Sequence, residues 1–193
     1  MINLDATFGR LGNRLFQMAF LYAESRRRGL DFYFQDPKFF EGYEEEIKQL
    51  FGEGIGYLTQ VGVHVRRAGN PINLSEPKYS ENPFYVNLSE TDYYERAMAM
   101  FPDEKFLIFS DDPGFCKEKF KGDNIQIMEK GNEIEDFNLL ASCKSIIGAN
   151  SSFSWWAAYL NPYPDAKIVF PSVENWYKDG VERTKLPESW IRI

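Results

Sequence analysis

The chain has 193 residues, of which 44% are hydrophobic and 17% are aromatic. This is enough apolar material for the core of one large α/β domain or of two small ones. The formal net charge of −7 at pH 7 argues against a general surface for nucleic acids or anionic membranes. An anionic ligand therefore requires arginine side chains placed locally, against the overall charge.

The cysteines and the apolar runs bear on the cellular compartment. Cys116 and Cys143 lack the spacing of metal ligands, so we interpret both as reduced thiols of a cytosolic protein. No run is long and apolar enough to span a bilayer, and the N-terminal residues lack the basic segment of a signal peptide. We therefore expect a cytoplasmic protein without an integral membrane segment.

In chain order, the predicted elements alternate between strands and helices, which favours a parallel sheet. The first part is predicted to contain a strand at 2–4, a tight turn at 9–12, a helix through 15–23 that ends at 26–29, a strand at 32–34 and a helix at 44–50. The second part is predicted to contain a strand at 61–66, an irregular loop at 68–88, a helix that Ser89 caps and that runs to about Phe101, and strands at 105–109, 125–128, 145–147 and 167–170 separated by helices. The segments 176–177 and 186–193 are expected to pack over the edge of the sheet.

The predicted strand 61–66 carries two candidate site residues. Its three valines alternate with Gly62, His64 and Arg66, so the only histidine of the chain lies beside Arg66 on one face. Arg67 leaves on the valine face or turns away as the strand ends. An arginine at the carboxyl end of a strand can place two parallel N–H bonds on a phosphate. The alternative is a histidine of the core and a structural pair between an arginine and a carboxylate.

Residues 136–160, DFNLLASCKSIIGANSSFSWWAAYL, predict a helix that Asp136 opens, a short buried strand, a polar turn and an aromatic helix. The turn at 150–152 supplies helix-capping residues, and the N–H groups of a first helical turn bind anions. Open α/β sheets bind ligands at the carboxyl ends of their strands, so this turn is a candidate phosphate site; the alternative is an ordinary helix cap. For Trp155 and Trp156 we favour the core over stacking on a sugar.

Four segments, in this order, carry a resemblance to a known family. They read FGRLGNRLFQ at 8–17, VGVHVRR at 61–67, LIFSDD at 107–112 and CKSIIGANSSFSWWAAYL at 143–160. They resemble the motifs GLGNQLFQ, HVRRGDY, FSDD and CKHxIxANSSFSWWxAWL of the α-1,2-fucosyltransferases, glycosyltransferase family 11. The resemblance covers nearly the whole chain after residue 7, and the last motif is long and very specific.

The resemblance implies a fold and an activity. The fold is α/β and GT-B-like, with an abbreviated N-terminal α/β portion at 1–60 on the acceptor side and a Rossmann-type parallel sheet at 61–193 that binds the GDP-sugar donor. The activity is that of a galactoside α-1,2-fucosyltransferase, which moves L-fucose from GDP-β-L-fucose to the 2-hydroxyl of a galactose-like acceptor with inversion. Such an enzyme needs no metal and no cofactor. Its partners are GDP-fucose and a glycan acceptor, and not nucleic acid.

The resemblance also implies a site. The arginine that matches Arg66 holds the donor diphosphate, and we expect Arg66 to be the catalytic residue because it stabilises charge on the leaving group. His64 would lie near the guanine. Asp136 would accept hydrogen bonds from the guanine N1–H and amino group, which discriminates against other bases, although an aspartate near a helix start is favourable in any case. The remaining predicted substrate-binding residues are Gly9, Gly12, Asn13, Arg14, Arg67, Asp111, Asn150, Ser151, Ser152 and Phe153.

The adjacent pair Asp111 and Asp112 suggests a metal site, because paired aspartates hold Mg²⁺ in many sugar transferases. The matching segment of the family belongs to metal-independent enzymes, however, and Asp112 followed by Pro113 is typical of a helix start. We therefore expect no metal at this position.

The chain departs from the family pattern in three respects. Arg14 stands where the family usually has glutamine, and Gly69 stands where HVRRGDY has its aspartate, a carboxylate that could orient Arg66 or take a proton from the acceptor. The stretch between the glycine-rich motif and the HVRR strand is also shorter than in typical members. The missing aspartate and the shortened segment favour one alternative, a GDP-sugar-binding protein with little or no transferase activity. A transferase that uses another GDP-sugar is a further alternative, because nothing in the sequence specifies fucose.

Overall fold

The structure is a computed structural model, in which residues 11–28, 44–67, 82–129 and 131–193 are described. The chain divides into two compact units, Met1–Gly54 and Ile55–Ile193. The predicted strands at 2–4 and 32–34, Gly9 and most of the predicted loop at 68–88 lie outside the described residues.

The first unit contains two helices among its described residues, α1 at Leu11–Arg28 and α2 at Glu44–Phe51. Both confirm the helices predicted for 15–23 and 44–50. The apolar side chains of α1 recur at helical spacing and are buried; they include Leu15, Ala19, Phe20 and Ala23. Because α1 already begins at Leu11, Gly12 lies in its first turn, and the prediction of a tight turn at that residue is wrong.

The second unit is built around a sheet of six strands. The strands are β1 Leu58–Val65, β2 Phe106–Ser110, β3 Ile125–Ile127, β4 Cys143–Ile147, β5 Ile168–Phe170 and β6 Ile191–Arg192. The helices are α3 Tyr93–Ala99, α4 Pro113–Lys119, α5 Glu133–Ala141, α6 Ser152–Tyr159 and α7 Val173–Trp176. A short 3₁₀ turn at Leu88–Glu90 precedes α3.

All neighbouring strands pair in parallel, in the order β3-β2-β1-β4-β5-β6. This is the strand order of the doubly wound Rossmann sheet, in which the chain builds outward from a central strand first on one side and then on the other. The prediction of a parallel α/β sheet is confirmed.

The central strand β1 separates two differently packed faces. Val61, Val63 and Val65 are fully buried in a core that includes the side chains of α3. On the opposite face, a Cβ atom at Gly62 would lie 2.7 Å from Leu140 of α5. The absence of a side chain at Gly62 therefore allows α5 to pack directly on the strand, and the predicted alternation along β1 is confirmed.

Three local predictions are wrong. Ser89 does not cap α3: it lies in the preceding 3₁₀ turn, and α3 begins at Tyr93. Asp136 does not open α5, because Asn132 accepts hydrogen bonds from two N–H groups of the first turn and forms a capping box with Glu135. The C-terminal segment does not pack over the sheet edge but extends it, as β6 pairs with β5.

The expected burial of Trp155 and Trp156 is confirmed, at 5% and 0% exposure. Cys116 and Cys143 are both buried and form no disulfide. Cys116 lies in the predicted helix α4, and Cys143 begins β4. No helix within the described ranges combines the length and apolar character that crossing a membrane would require.

Candidate functional site

The sheet has a topological switch point between β1 and β4. From β1 the chain continues to β2 and β3 on one side, and β4 then starts the other side. The last pair between these two strands is Val63 with Ile147, so the residues that follow, at 64–66 and 148–150, lie at the carboxyl ends of the two strands and no longer pair with each other. Open α/β sheets form their ligand crevice at this place. The crevice between the carboxyl ends of β1 and β4 is therefore the candidate site.

Three aromatic rings line the α5 and α6 face of this crevice. The ring centroids of His64 and Phe153 are 5.0 Å apart, and those of Phe153 and Phe137 are 5.5 Å apart with nearly perpendicular planes. His64 is 6% exposed. The predicted residues His64 and Phe153 are thus brought together, and Phe137, which sequence reasoning treated only as a core residue, completes what we call the aromatic wall.

Asp136 precedes Phe137 on α5. Its Oδ1 atom is buried and has no hydrogen-bond partner among the described residues. Burial raises the pKa of this carboxyl group, and the neighbouring charge of Glu135 raises it further. A Cβ atom at Gly131 would collide with the carboxylate, so Gly131 leaves the space that Asp136 occupies. The carboxylate as a whole is half-buried and one of its oxygens has no partner, so it is suited to accept hydrogen bonds from a ligand.

Arg66 follows β1 and is 7% exposed. Its Nη1 donates to Oδ2 of Asp111, which follows β2. The other oxygen of Asp111 accepts the backbone N–H of Arg67 at 2.9 Å. The pairing of Val65 with Ser110 brings the two strand ends together. Asp111 therefore fixes both the guanidinium of Arg66 and the backbone that follows it.

Arg67 lies on the valine face. Its guanidinium carbon is 3.7 Å from the ring centroid of Phe115 in α4, and its Nη1 donates to Oγ of Ser89 at 2.8 Å. An ion pair of 3.6 Å joins it to Asp112. These contacts hold Arg67 against α4, on the opposite face from the aromatic wall.

The turn between β4 and α6 is held by its own hydrogen bonds. The amide of Asn150, which is 2% exposed, donates to the backbone oxygens of Val86 at 2.8 Å and of Trp176 at 3.3 Å. Ser151 caps α6, with its Oγ accepting the N–H of Phe153 at 3.3 Å. This arrangement caps α6 and places the positive end of its helix dipole at the crevice.

Two buried tyrosines at the start of α3 were missed by sequence reasoning. Tyr94 donates its hydroxyl to the backbone oxygen of His64 at 3.1 Å, and Tyr93 donates to that of Gly148 at 2.6 Å. The sequence shows two adjacent tyrosines within the helix that was predicted to follow Ser89. Which carbonyl groups those hydroxyls meet depends on the tertiary packing, and no local signal specifies it.

The remaining predicted residues lie elsewhere. Gly12, Asn13 and Arg14 form the start of α1 in the first unit, where Gly12 is buried and the other two are exposed. Ser152 is the first residue of α6. Asp112 caps α4, as expected, by accepting the N–H of Phe115 at 3.1 Å. Within the described part of the chain, no group of three or more potential ligand side chains is arranged to hold a metal ion.

Known proteins resemble this chain over different lengths. It is 27% identical over 181 residues to the O-antigen biosynthesis glycosyltransferase WbnK of Escherichia coli, covering 83% of this chain and 59% of the relative. It is 27% identical over 188 residues to an alpha-1,2-colitosyltransferase of Escherichia coli, covering 83% and 61%. It is 32% identical over 123 residues to galactoside alpha-(1,2)-fucosyltransferase 2 of Rattus norvegicus, covering 59% and 33%.

The chain thus spans about 60% of the length of the two bacterial relatives. The sequence model described as glycosyl transferase family 11 matches residues 16–193. This match includes the whole sheet of the second unit and every residue of the crevice described above. The chain therefore belongs to glycosyl transferase family 11.

Proposed function

We propose that the chain binds a GDP-sugar in the crevice between β1 and β4 and transfers the sugar, fucose or colitose, to the 2-hydroxyl of a galactose-like acceptor. One observation carries the proposal. A buried arginine, the positive end of a helix and a carboxylate beside an aromatic wall all lie at the edge where the Rossmann sheet switches direction. This combination of groups matches the diphosphate and the base of a purine nucleotide.

In this proposal the base lies by the aromatic wall. The carboxylate of Asp136 accepts the N1–H and the amino group of guanine, which are adjacent donors on one edge of the base. Adenine and the pyrimidines do not present this pair of donors, so a buried carboxylate would be left without partners against them. The ring of Phe153 supplies an apolar surface next to the base.

The diphosphate lies between Arg66 and the start of α6. As GDP leaves, negative charge grows on the diphosphate, and a guanidinium together with the positive end of a helix stabilises that charge. Asp111 holds the guanidinium in place before the ligand arrives, so little reorganisation is needed. The acceptor hydroxyl attacks C1 from the opposite side, which inverts the configuration.

We further propose a GT-B arrangement, in which the unit at Ile55–Ile193 binds the donor and the unit at Met1–Gly54 contributes to the acceptor side. The names of the relatives support two donors, since one is a colitosyltransferase and another a fucosyltransferase. Fucose and colitose differ at the 3-hydroxyl of the sugar. A titration with both GDP-sugars therefore decides between them.

The test of the donor site is a calorimetric titration with GDP, UDP, GDP-fucose, GDP-colitose and GDP-mannose, each with excess EDTA. We expect GDP to bind, UDP to bind much more weakly, and EDTA to make no difference. Asp136→Ala should weaken GDP binding but change UDP binding little, and the exposed acid of the same helix turn, Glu133→Gln, is the matched control. Equal affinities for GDP and UDP, or a strict need for Mg²⁺, would contradict the proposal.

A second candidate function is GDP-sugar binding without transfer. The glycine at position 69, where the family motif has an aspartate, favours it. An assay of GDP release with and without a β-galactoside separates the two functions. Brisk release that depends on the acceptor supports the transferase, whereas tight donor binding with slow release that is independent of acceptor supports the second candidate. If Gly69→Asp restores transfer, the missing carboxylate is the cause.

A further inference from the structure

Helix α3 meets both strands of the crevice through adjacent side chains. Tyr93 and Tyr94 are fully buried, and their hydroxyls donate to the backbone oxygens of Gly148 and His64, at 2.6 and 3.1 Å. Neighbouring residues of a helix point about 100° apart, which allows one turn to reach two strands. A single element thus holds the carboxyl ends of β4 and β1 together.

These two hydrogen bonds lie where the pairing between β1 and β4 ends. The last pair between β1 and β4 is Val63 with Ile147. The tyrosine hydroxyls donate to the backbone oxygens of the residues that follow this pair, His64 and Gly148. At this point His64 packs against Phe153 in the aromatic wall, and Gly148 leads into the turn that starts α6. Helix α3 therefore bridges the two strand ends at this level.

The hydroxyl groups are not needed to fill the core. The rings pack against each other with centroids 5.1 Å apart, and Tyr94 packs on Phe120 at 5.8 Å; phenylalanine would supply the same ring surfaces. A buried hydroxyl is unfavourable unless it forms a hydrogen bond, so each hydroxyl is tied to its carbonyl partner. Their specific contribution is the position of the two backbone oxygens.

We propose that Tyr93 and Tyr94 are positioning residues of the donor site: their hydroxyls hold the ends of β4 and β1 at the separation that lets Arg66 and the start of α6 bind one diphosphate. The inference rests on the proposed function, because it takes the ligand of the crevice to be a GDP-sugar. Neither tyrosine touches that ligand.

The test uses Tyr93→Phe and Tyr94→Phe, each of which removes one hydroxyl and keeps the ring. The matched control is Tyr163→Phe, because Tyr163 donates its hydroxyl to the backbone oxygen of Leu58 at 2.8 Å, at the amino end of the same strand β1. We expect all three variants to melt a few degrees lower. Only Tyr93→Phe and Tyr94→Phe should also weaken GDP binding, by about three- to tenfold per hydroxyl.

A second measurement does not depend on GDP. His64 is the only histidine of the chain, so its imidazole Hε1 proton gives one directly assigned signal in the NMR spectrum of untagged protein. Tyr94→Phe should displace this signal in the ligand-free protein, and Tyr163→Phe should leave it in place. If the wild-type protein does not bind GDP, the proposed function fails while this measurement still decides whether Tyr94 positions the end of β1.

Three results would overturn the inference. The first is unchanged GDP affinity in both Phe variants together with an unmoved His64 signal. The second is an equal loss of affinity in Tyr163→Phe, which would make the effect one of general stability. The third is failure of both variants to fold at a temperature at which Tyr163→Phe is folded, since the hydroxyls would then determine the fold and not the site.

Discussion

Replacing Arg66 by lysine tests the proposed diphosphate site most directly. The side chains of Arg66 and Asp111 are only 8% and 14% exposed, and the two are paired. A guanidinium has three nitrogens and can bond a carboxylate and a phosphate in different directions. A lysine has one nitrogen on a flexible chain. Arg66→Lys must therefore leave either Asp111 or the phosphate without its charged partner.

The expected loss follows from this competition. Removing one partner of a buried, charge-assisted pair at a binding site costs about 2–4 kcal/mol. Because each 1.4 kcal/mol changes an equilibrium constant tenfold, GDP affinity should fall by about 30- to 1000-fold. Calorimetry measures the affinity, and thermal denaturation shows whether the variant is folded.

Arg67→Lys is the matched control. Arg67 stacks on Phe115 and donates to Ser89, and these contacts belong to the packing of α4. Losing the stacking should lower stability by about 1 kcal/mol, or a few degrees in melting temperature for a chain of this size, with GDP affinity within about threefold of wild type. GDP binding by folded Arg66→Lys at the wild-type level would refute the assignment of the diphosphate site.

Three further predictions concern a carboxyl group, a glycine and the thiols. Burial raises the pKa of the Asp136 carboxyl group, and the proposed hydrogen bonds to guanine require its ionised form. GDP affinity should therefore decrease as the pH falls through that pKa. Titrations of Asp136→Asn should not show this decrease. Gly148→Ala should destabilise the fold by about 1–3 kcal/mol, measured by urea denaturation, because its Cβ would collide with the ring of Phe170. Burial raises the pKa of the Cys143 thiol to about 12, and Cys116 is also buried. Both thiols should therefore react with a thiol reagent only after denaturation. Rapid modification of the native protein would contradict this.

The sheet could be predicted well from the sequence, because its strands are short apolar runs bounded by polar or small residues. The alternation of valines with Gly62, His64 and Arg66 placed these side chains correctly on the two faces of β1. The ends of the strands were predicted less accurately. The strand predicted to begin at residue 61 begins at Leu58, where apolar and polar residues do not alternate.

Helix starts were harder to predict, since several residues near each start are good caps. Ser89 has a suitable side chain, but its hydroxyl donates to Asn87 and accepts from Arg67. Asp136 is likewise a good N-terminal residue, yet Asn132 lies four positions earlier and has Glu135 to complete the capping box. Local propensity permits each of these residues as a cap, and the competing partners decide.

The hydrogen bonds between elements could not be predicted. Asn150 was expected to bind substrate, but its amide donates to the backbone of two segments distant in sequence. Nothing in the sequence indicated that the hydroxyls of Tyr93 and Tyr94 donate to the backbone oxygens of Gly148 and His64. These contacts join residues 26 to 64 positions apart, and only the folded chain brings them together.

Asp111 changes how the departure at position 69 should be interpreted. The family motif has a carboxylate there that could orient the phosphate-binding arginine or take a proton from the acceptor, and its loss placed full activity in doubt. The guanidinium of Arg66 already has a carboxylate partner on the neighbouring strand, and the same aspartate anchors the backbone of Arg67. Asp111 therefore already supplies one carboxylate that orients Arg66. For the proposed transfer reaction, we therefore expect Gly69 to affect the acceptor step, where a carboxylate could take the proton of the attacking hydroxyl. In the proposed function, donor binding and sugar transfer should therefore be separable, with Asp111 supporting Arg66 in the donor site.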